Sequence, residues 1–163
     1  MRRSLSLILV LVAACGGWFP LLPDARTPAD HARAMEARCA GQSALQTADA
    51  ASPSLIEHVD AAYSTVPSGN DRAIRLRGAR LQLRPGPHLS AESLQRSLEC
   101  HQARVTLGEG AAAPDDPYVL PGAWLDIDVD STGDGFVAAV LVKNFDDAQR
   151  VLSRARSFAT ARQ

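Results

Sequence analysis

The chain has 163 residues, 46% of them apolar, and a formal net charge of −1. That size suits one domain with a modest core. The near-neutral balance, with Lys143 the only lysine, supplies no basic field and argues against nucleic acid as a partner.

The first predicted element is an export signal. Met1-Arg2-Arg3 is a short basic head, Ser4 to Ala14 carries no charge and is mostly apolar, and the small Ala13 and Ala14 precede Cys15. This is the layout of a signal peptide. The run Val12-Ala13-Ala14-Cys15 resembles the lipobox of bacterial lipoproteins. The resemblance covers residues 1–16 only. It implies a cut before Cys15 and a diacylglyceryl thioether on that thiol. It also implies outer-membrane sorting where such a membrane exists, because Gly16 is not acidic. Two other readings stay open. An ordinary cut would leave a secreted or periplasmic soluble protein. An uncut anchor would use Leu5 to Leu22, close to the ~20 apolar residues a bilayer span needs, although Gly16, Gly17 and Pro20 interrupt it.

Residues 1–14 are thus expected as signal and 15–27 as lipidated cysteine and tether, with Pro20, Pro23 and Pro28 as breakers. A helical N-terminal segment is expected over 28–66. Thr27 and Pro28 start a first helix, rich in Ala, Arg, Glu and Gln, that runs to about Ala50. Ser52-Pro53 repeats the start signal for a short second helix with Leu55, Val59, Ala62 and Tyr63 on one face. Pro67-Ser68-Gly69-Asn70 ends it.

Residues 72–160 read as a βαββα domain. Ala79, Leu81 and Leu83 alternate with Arg80, Gln82 and Arg84, which predicts a half-buried strand. Ser90 caps a helix to about Arg104, and 108–117 is a loop of Gly, Ala, Pro and Asp. Leu125, Ile127 and Val129 predict a second strand, Thr132-Gly133-Asp134-Gly135 a hairpin turn, and Phe136 to Val142 a central strand. Asn144 caps a last helix with Phe145, Ala148, Val151, Leu152, Ala155 and Phe158 on one face. The fold class is α+β: a sheet of about three strands with helices on one face. It is similar to half of a ferredoxin-like fold or to small periplasmic βαββα modules, a likeness that carries no function.

With Cys15 acylated, Cys39 and Cys100 remain, and two thiols outside the cytosol are expected to form a disulfide. A competing reading is a metal site. His31, Met35 and Cys39 stand four residues apart and would share a face of one helix. With Cys100 and His101 they make a soft donor set suited to Cu(I). His101 also falls, by angle, on the apolar face of Leu94, Leu98 and Val105. There it is either a core histidine with one partner or the lining of a pocket with His58 and His88.

Other motifs depart from their patterns. Asp126, Asp128, Asp130 and Asp134 resemble a calcium loop, but Ser131 stands where the turn glycine belongs and Val137 where the bidentate Glu belongs. On a strand, Asp126, Asp128 and Asp130 form a solvent face open to pairing with Arg80 and Arg84. Cys100-His101 lacks the second cysteine of a haem attachment, since Ser97 holds that place. No nucleophile elbow, phosphate loop or dinucleotide fingerprint occurs, so no catalytic residue and no cofactor is assigned. The expectation is a non-enzymatic envelope lipoprotein that binds a partner at the membrane, such as another envelope protein, or supports an assembly. A periplasmic copper binder and an enzyme with a pocket around His101 are the alternatives.

Overall fold

A computed structural model describes residues 26–68, 71–86 and 89–161. The lipobox-like run, the apolar stretch before it, most of the tether and His88 lie outside the described residues. Among the described residues no helix is long and apolar enough to cross a membrane.

The elements in chain order are α1 (Pro28–Glu36), α2 (Ala44–Ala50), a 3-10 turn (Pro53–Leu55), β1 (Ile56–Ser68), β2 (Asp71–Leu83), α3 (Ala91–Leu107), β3 (Asp126–Thr132), β4 (Gly135–Leu141) and α4 (Phe145–Thr160). The class is α+β, as expected. The sheet has four strands instead of three, all antiparallel, in the order β1-β2-β4-β3. Two expectations for the N-terminal part are corrected.

The first helix does not run to Ala50. Gly41 takes a left-handed φ of 90° and Ser43 caps a new helix, its hydroxyl accepting from Gln46 N. The chain therefore turns between α1 and α2. Cys39 sits in that turn, beyond the last residue of α1, and not on a shared face with His31 and Met35.

The second helix is strand β1. Its register slips between Ile56 and His58, where Glu57 is an extra residue against β2. This bulge moves the core-facing positions from a spacing of two to a spacing of three, from Ile56 to Val59. The sequence pattern there imitates a helix for that reason.

The core forms where one face of the sheet meets both long helices. Ala79, Leu81 and Leu83 of β2, Ile127 and Val129 of β3, and Phe136, Ala138 and Val140 of β4 all point to this side. They join Leu94 and Leu98 of α3 and Val151, Ala155 and Phe158 of α4 in one buried cluster. Burying a Leu, Val or Phe side chain contributes roughly 1.5–3 kcal/mol, so this layer carries most of the stabilisation. α1 and α2 pack on α3 and form an outer shelf.

A second bulge, at Arg77 and Gly78, lets β2 bend against β4. Gly78 has a φ of 147°, and a Cβ there would lie 2.0 Å from the carbonyl oxygen of Val140. Arg77 fixes the bend, its Nε donating to Val142 O over 2.6 Å. Gly78→Ala is expected to cost about 3 kcal/mol, from overpacking and backbone strain together. That lowers the thermal midpoint by roughly 10 °C. Gly133→Ala, with nothing within 4 Å of the added carbon, is the control and should shift the midpoint by no more than roughly 2 °C. Thermal unfolding followed by circular dichroism measures both.

Candidate functional site: a stapled polar knot and an open sheet face

Two places in the described residues hold side chains beyond what folding a small core requires. The first is centred on α3. Cys100 is bonded to Cys39, with the Cα atoms 5.8 Å apart across a sequence separation of 61. Arg104, one turn on, holds the shelf. Its Nη2 donates to Gln42 O at 2.7 Å and its Nη1 to Thr47 Oγ1 at 3.3 Å, and its Nε lies 3.5 Å from Glu36 Oε1. Ser97 Oγ donates to Gln42 Oε1 at 3.0 Å.

His101 points to the other side of the helix. It is buried, and its Nε2 shares a 2.6 Å hydrogen bond with Oδ2 of buried Asp116. Asp116 Oδ1 accepts from Tyr118 N at 2.9 Å, and Arg154 Nε of α4 donates to the Asp116 carbonyl at 3.1 Å. Gln102, its amide turned to match its neighbours, donates to Leu125 O at 3.3 Å and accepts from Leu125 N at 2.7 Å. Together these bonds fasten the long connection between α3 and β3 to the body. Its stretch Asp116 to Leu120 is buried throughout, so its polar groups need such partners.

A His–Asp pair is also the base and orienting half of many catalytic sites. Here both members are shut in, with side-chain exposures of 8% and 2%. A hollow of about 640 Å³ is lined by Asp60, Ala61, Tyr63, Arg80, Gln82, Val137 and Arg156. Another, of about 420 Å³, is lined by Gln42, Gln46, Asp49, Ala50, Leu55, Gly86, Leu89, Ser93 and Ser97. Neither is lined by His101. The geometry is that of a structural clamp.

The soft donor set is not assembled. Cys39 and Cys100 are joined to each other, His31 stacks on the Trp124 ring with centroids 5.6 Å apart, and His101 is bonded to Asp116. Met35 stays on half-buried α1 surface. A disulfide offers no thiolate to a metal. Among the described residues no group of three or more His, Cys, Asp or Glu is placed to hold a metal ion. His58 lies on β1, exposed, with its Nε2 3.1 Å from Asp60 Oδ1, and does not meet His101.

The second place is the sheet face away from α3 and α4. Exposed Asp126, Asp128 and Asp130 line β3, as the alternation predicts. The expected pairs with Arg80 and Arg84 do not form, because β4 lies between β2 and β3. Arg84 instead donates from Nε to Glu57 Oε1 at 3.0 Å, and Arg80 stands opposite Asp60 in the register. The sequence reading missed Asp116, Tyr118 and Arg154 altogether. The available signal was a long loop containing the apolar run Tyr118-Val119-Leu120, which a solvated loop would not need.

Tyr118 yields a test. Its hydroxyl is buried with no hydrogen-bond partner among the described residues. Burial first, and the nearby Asp116 charge second, push its ionisation above the ordinary phenol range. A group whose pKa rises on folding contributes stability that is full below its unfolded value, about 10, and is lost as pH climbs toward the folded value. Thermal midpoints should therefore fall more steeply above about pH 10 in the parent than in Tyr118→Phe. At neutral pH the variant should be within about 1 kcal/mol of the parent, since an unsatisfied donor is removed. Equal slopes in the two proteins would reject this account of Tyr118.

No protein-family model, no curated protein and no solved structure matches the chain.

Proposed function

We propose that the chain is an exported protein of the cell envelope, held to a membrane by a lipid on Cys15, whose α+β domain serves binding and not catalysis. The observation that carries this reading is the Cys39–Cys100 disulfide, which is buried and closes a loop spanning 61 positions. Such bonds persist outside the reducing cytosol, which agrees with the export signal expected at the N-terminus. Pairing these two leaves Cys15 as the remaining cysteine of the chain. The lipobox-like start gives it a use, and several acyl chains at about 0.8 kcal/mol per buried methylene hold firmly. The binding reading draws on the sealed His101–Asp116 pair, which presents no reacting group to solvent, and on the broad uncovered face of the sheet.

Growing cells with an alkyne-tagged palmitate is expected to label the full chain in the membrane fraction. Cys15→Ala should abolish the label and release the protein or leave it unprocessed. Label that survives this substitution rejects the anchor. A second measurement addresses the compartment. Protein extracted under acid-quenched, non-reducing conditions should carry no free Cys39 or Cys100 thiol. The double variant Cys39→Ser, Cys100→Ser should lose about 4 kcal/mol of stability, read by urea unfolding.

A further inference from the structure

β4 pairs with β2 only from Gly78 to Leu83, and Val142 N adds one bond to Arg77 O at 2.8 Å. Beyond that row β1 and β2 run on together, from the pair Tyr63–Leu76 to the pair Ser68–Asp71. Among the described residues no third strand joins them. They form an arm roughly 20 Å long. Leu76 still packs against the core, but Tyr63 and Ile74 are 64% and 77% exposed. A two-stranded ribbon is at best marginally stable in water by itself, so an arm that shows its apolar residues to solvent is placed for a contact.

The charges of the arm are Asp71, Arg72, Arg75 and Arg77, a net +2 in a chain of net −1. Arg77 is spent on Val142 O. Among the described residues no hydrogen bond or ion pair engages Arg72 or Arg75. Arg72, Ile74 and Leu76 share one face of the arm with Pro67, Thr65 and Tyr63 opposite them. Asp126 and Asp146 stand at its base, in the row of Gly78 and Leu141 and in the first turn of α4. Arg72 lies six residues further out, roughly 20 Å, more than twice the ~8 Å screening length of physiological salt.

The chain toward Cys15 leaves from this same end. Along α3, Gln102 meets Leu125 and Gln95 meets Val129, so the C-terminal end of α3 is the one nearest the row of Asp126, Leu141 and Gly78. α1 and the turn after it run antiparallel to α3, with Glu36 at Arg104, Cys39 at Cys100 and Gln42 at Ser97. The N-terminus of α1 therefore lies at the arm's end of the domain, where His31 stacks on Trp124.

We propose, on the reading that Cys15 carries a lipid, that the arm rests on anionic headgroups of the bilayer holding that lipid. Residues 16–27 span at most about 40 Å, so the anchor turns this end of the domain toward the membrane. Arg72 and Arg75 pair with lipid phosphates. Ile74 and Tyr63 settle at the boundary of headgroup and acyl chain, a level that suits an apolar body with a polar tip. Each arginine at an anionic surface strengthens the attraction about fivefold. So weak a contact is sustained because the anchor makes it intramolecular. An acidic protein partner would give no reason for arm and tether to share one end.

The test is amide hydrogen exchange, read by mass spectrometry, on the full chain purified from membranes. It is reconstituted in vesicles of phosphatidylcholine alone or with about 30% phosphatidylglycerol. Exchange over residues 71–77 should slow at least about fivefold in the anionic vesicles. Exchange over 136–141 should not differ, which also controls for the fold. The double variant Arg72→Gln, Arg75→Gln should exchange within about twofold of the rate in zwitterionic vesicles, and about 0.5 M salt should do the same to the parent. Equal exchange in the two vesicle types overturns the proposal, as it would if the arm served a protein. So does protection that survives in the double variant. A chain recovered without acyl groups refutes the anchor and this orientation together, whereas a chain that floats with the vesicles yet shows equal exchange refutes the arm contact alone.

Discussion

Residues 100 to 104 of α3 hold three pieces of chain that the core alone would not. Successive helical residues project about 100° apart, so Cys100, His101 and Gln102 address different sides of one helix. Cys100 takes the turn after α1 by a covalent bond, and His101 takes Asp116 of the long connection. Gln102 takes the backbone of Leu125 just before β3, and Arg104 takes the shelf at Gln42 and Thr47. The apolar layer under α3 fixes the helix, and the helix then orders its surroundings. Removing Asp116 would leave His101 buried without its partner, and a buried hydrogen-bonding group left unsatisfied costs about 1–3 kcal/mol. The outer parts of the fold depend on these few bonds because α1 and α2 bring few large side chains of their own. The buried residues there are Ala32, Thr47 and Ala50.

The pattern of residues was legible wherever one local rule decided the structure. Thr27, Ser90 and Asn144 cap helices as expected, each side chain accepting from a backbone N–H in the first turn. Strands β3 and β4 follow simple alternation, and the tight turn at Thr132 to Gly135 joins them in register. The failures share a cause. β1 was hidden because a bulge at Glu57 replaced the period of two by a step of three. The break between α1 and α2 was hidden because Ala-rich segments satisfy helix propensity on both sides of Gly41. In each case a single residue of irregular backbone outweighed the propensity of a whole window.

The chemistry was legible only in part, for a different reason. Cysteine parity predicts the Cys39–Cys100 bond without any geometry. The partner of His101 is fifteen residues away in a stretch of Gly, Ala, Pro and Asp, and nothing in that composition separates Asp116 from its exposed neighbour Asp115. The soft donor set failed as an arrangement because its spacing assumed one continuous helix through Cys39. The acidic row on β3 was placed on the correct face, yet its partner was misjudged. Alternation tells which side a residue faces, and it does not tell which strand lies next to it.

That last distinction also governs what the edges and the outer face of the sheet present. Edge strands are the usual hazard of an antiparallel sheet. At one edge, α3 takes one backbone donor of β3, Gln95 Oε1 accepting from Val129 N at 3.2 Å. At the other, β1 carries Glu57, His58 and Asp60 near its start and Pro67 near its end, charges and a proline that oppose the addition of a further strand. Both edges are thus guarded, and the broad face is not. Because β4 separates β2 from β3, Arg80 and Asp128 stand two strands apart, roughly 9–10 Å, too far to neutralise each other within one chain. The observed order sets Arg80 opposite Asp60 of β1 and leaves Asp126, Asp128 and Asp130 as the exposed face of β3. Topology, more than composition, therefore decides which charges on the sheet stand side by side.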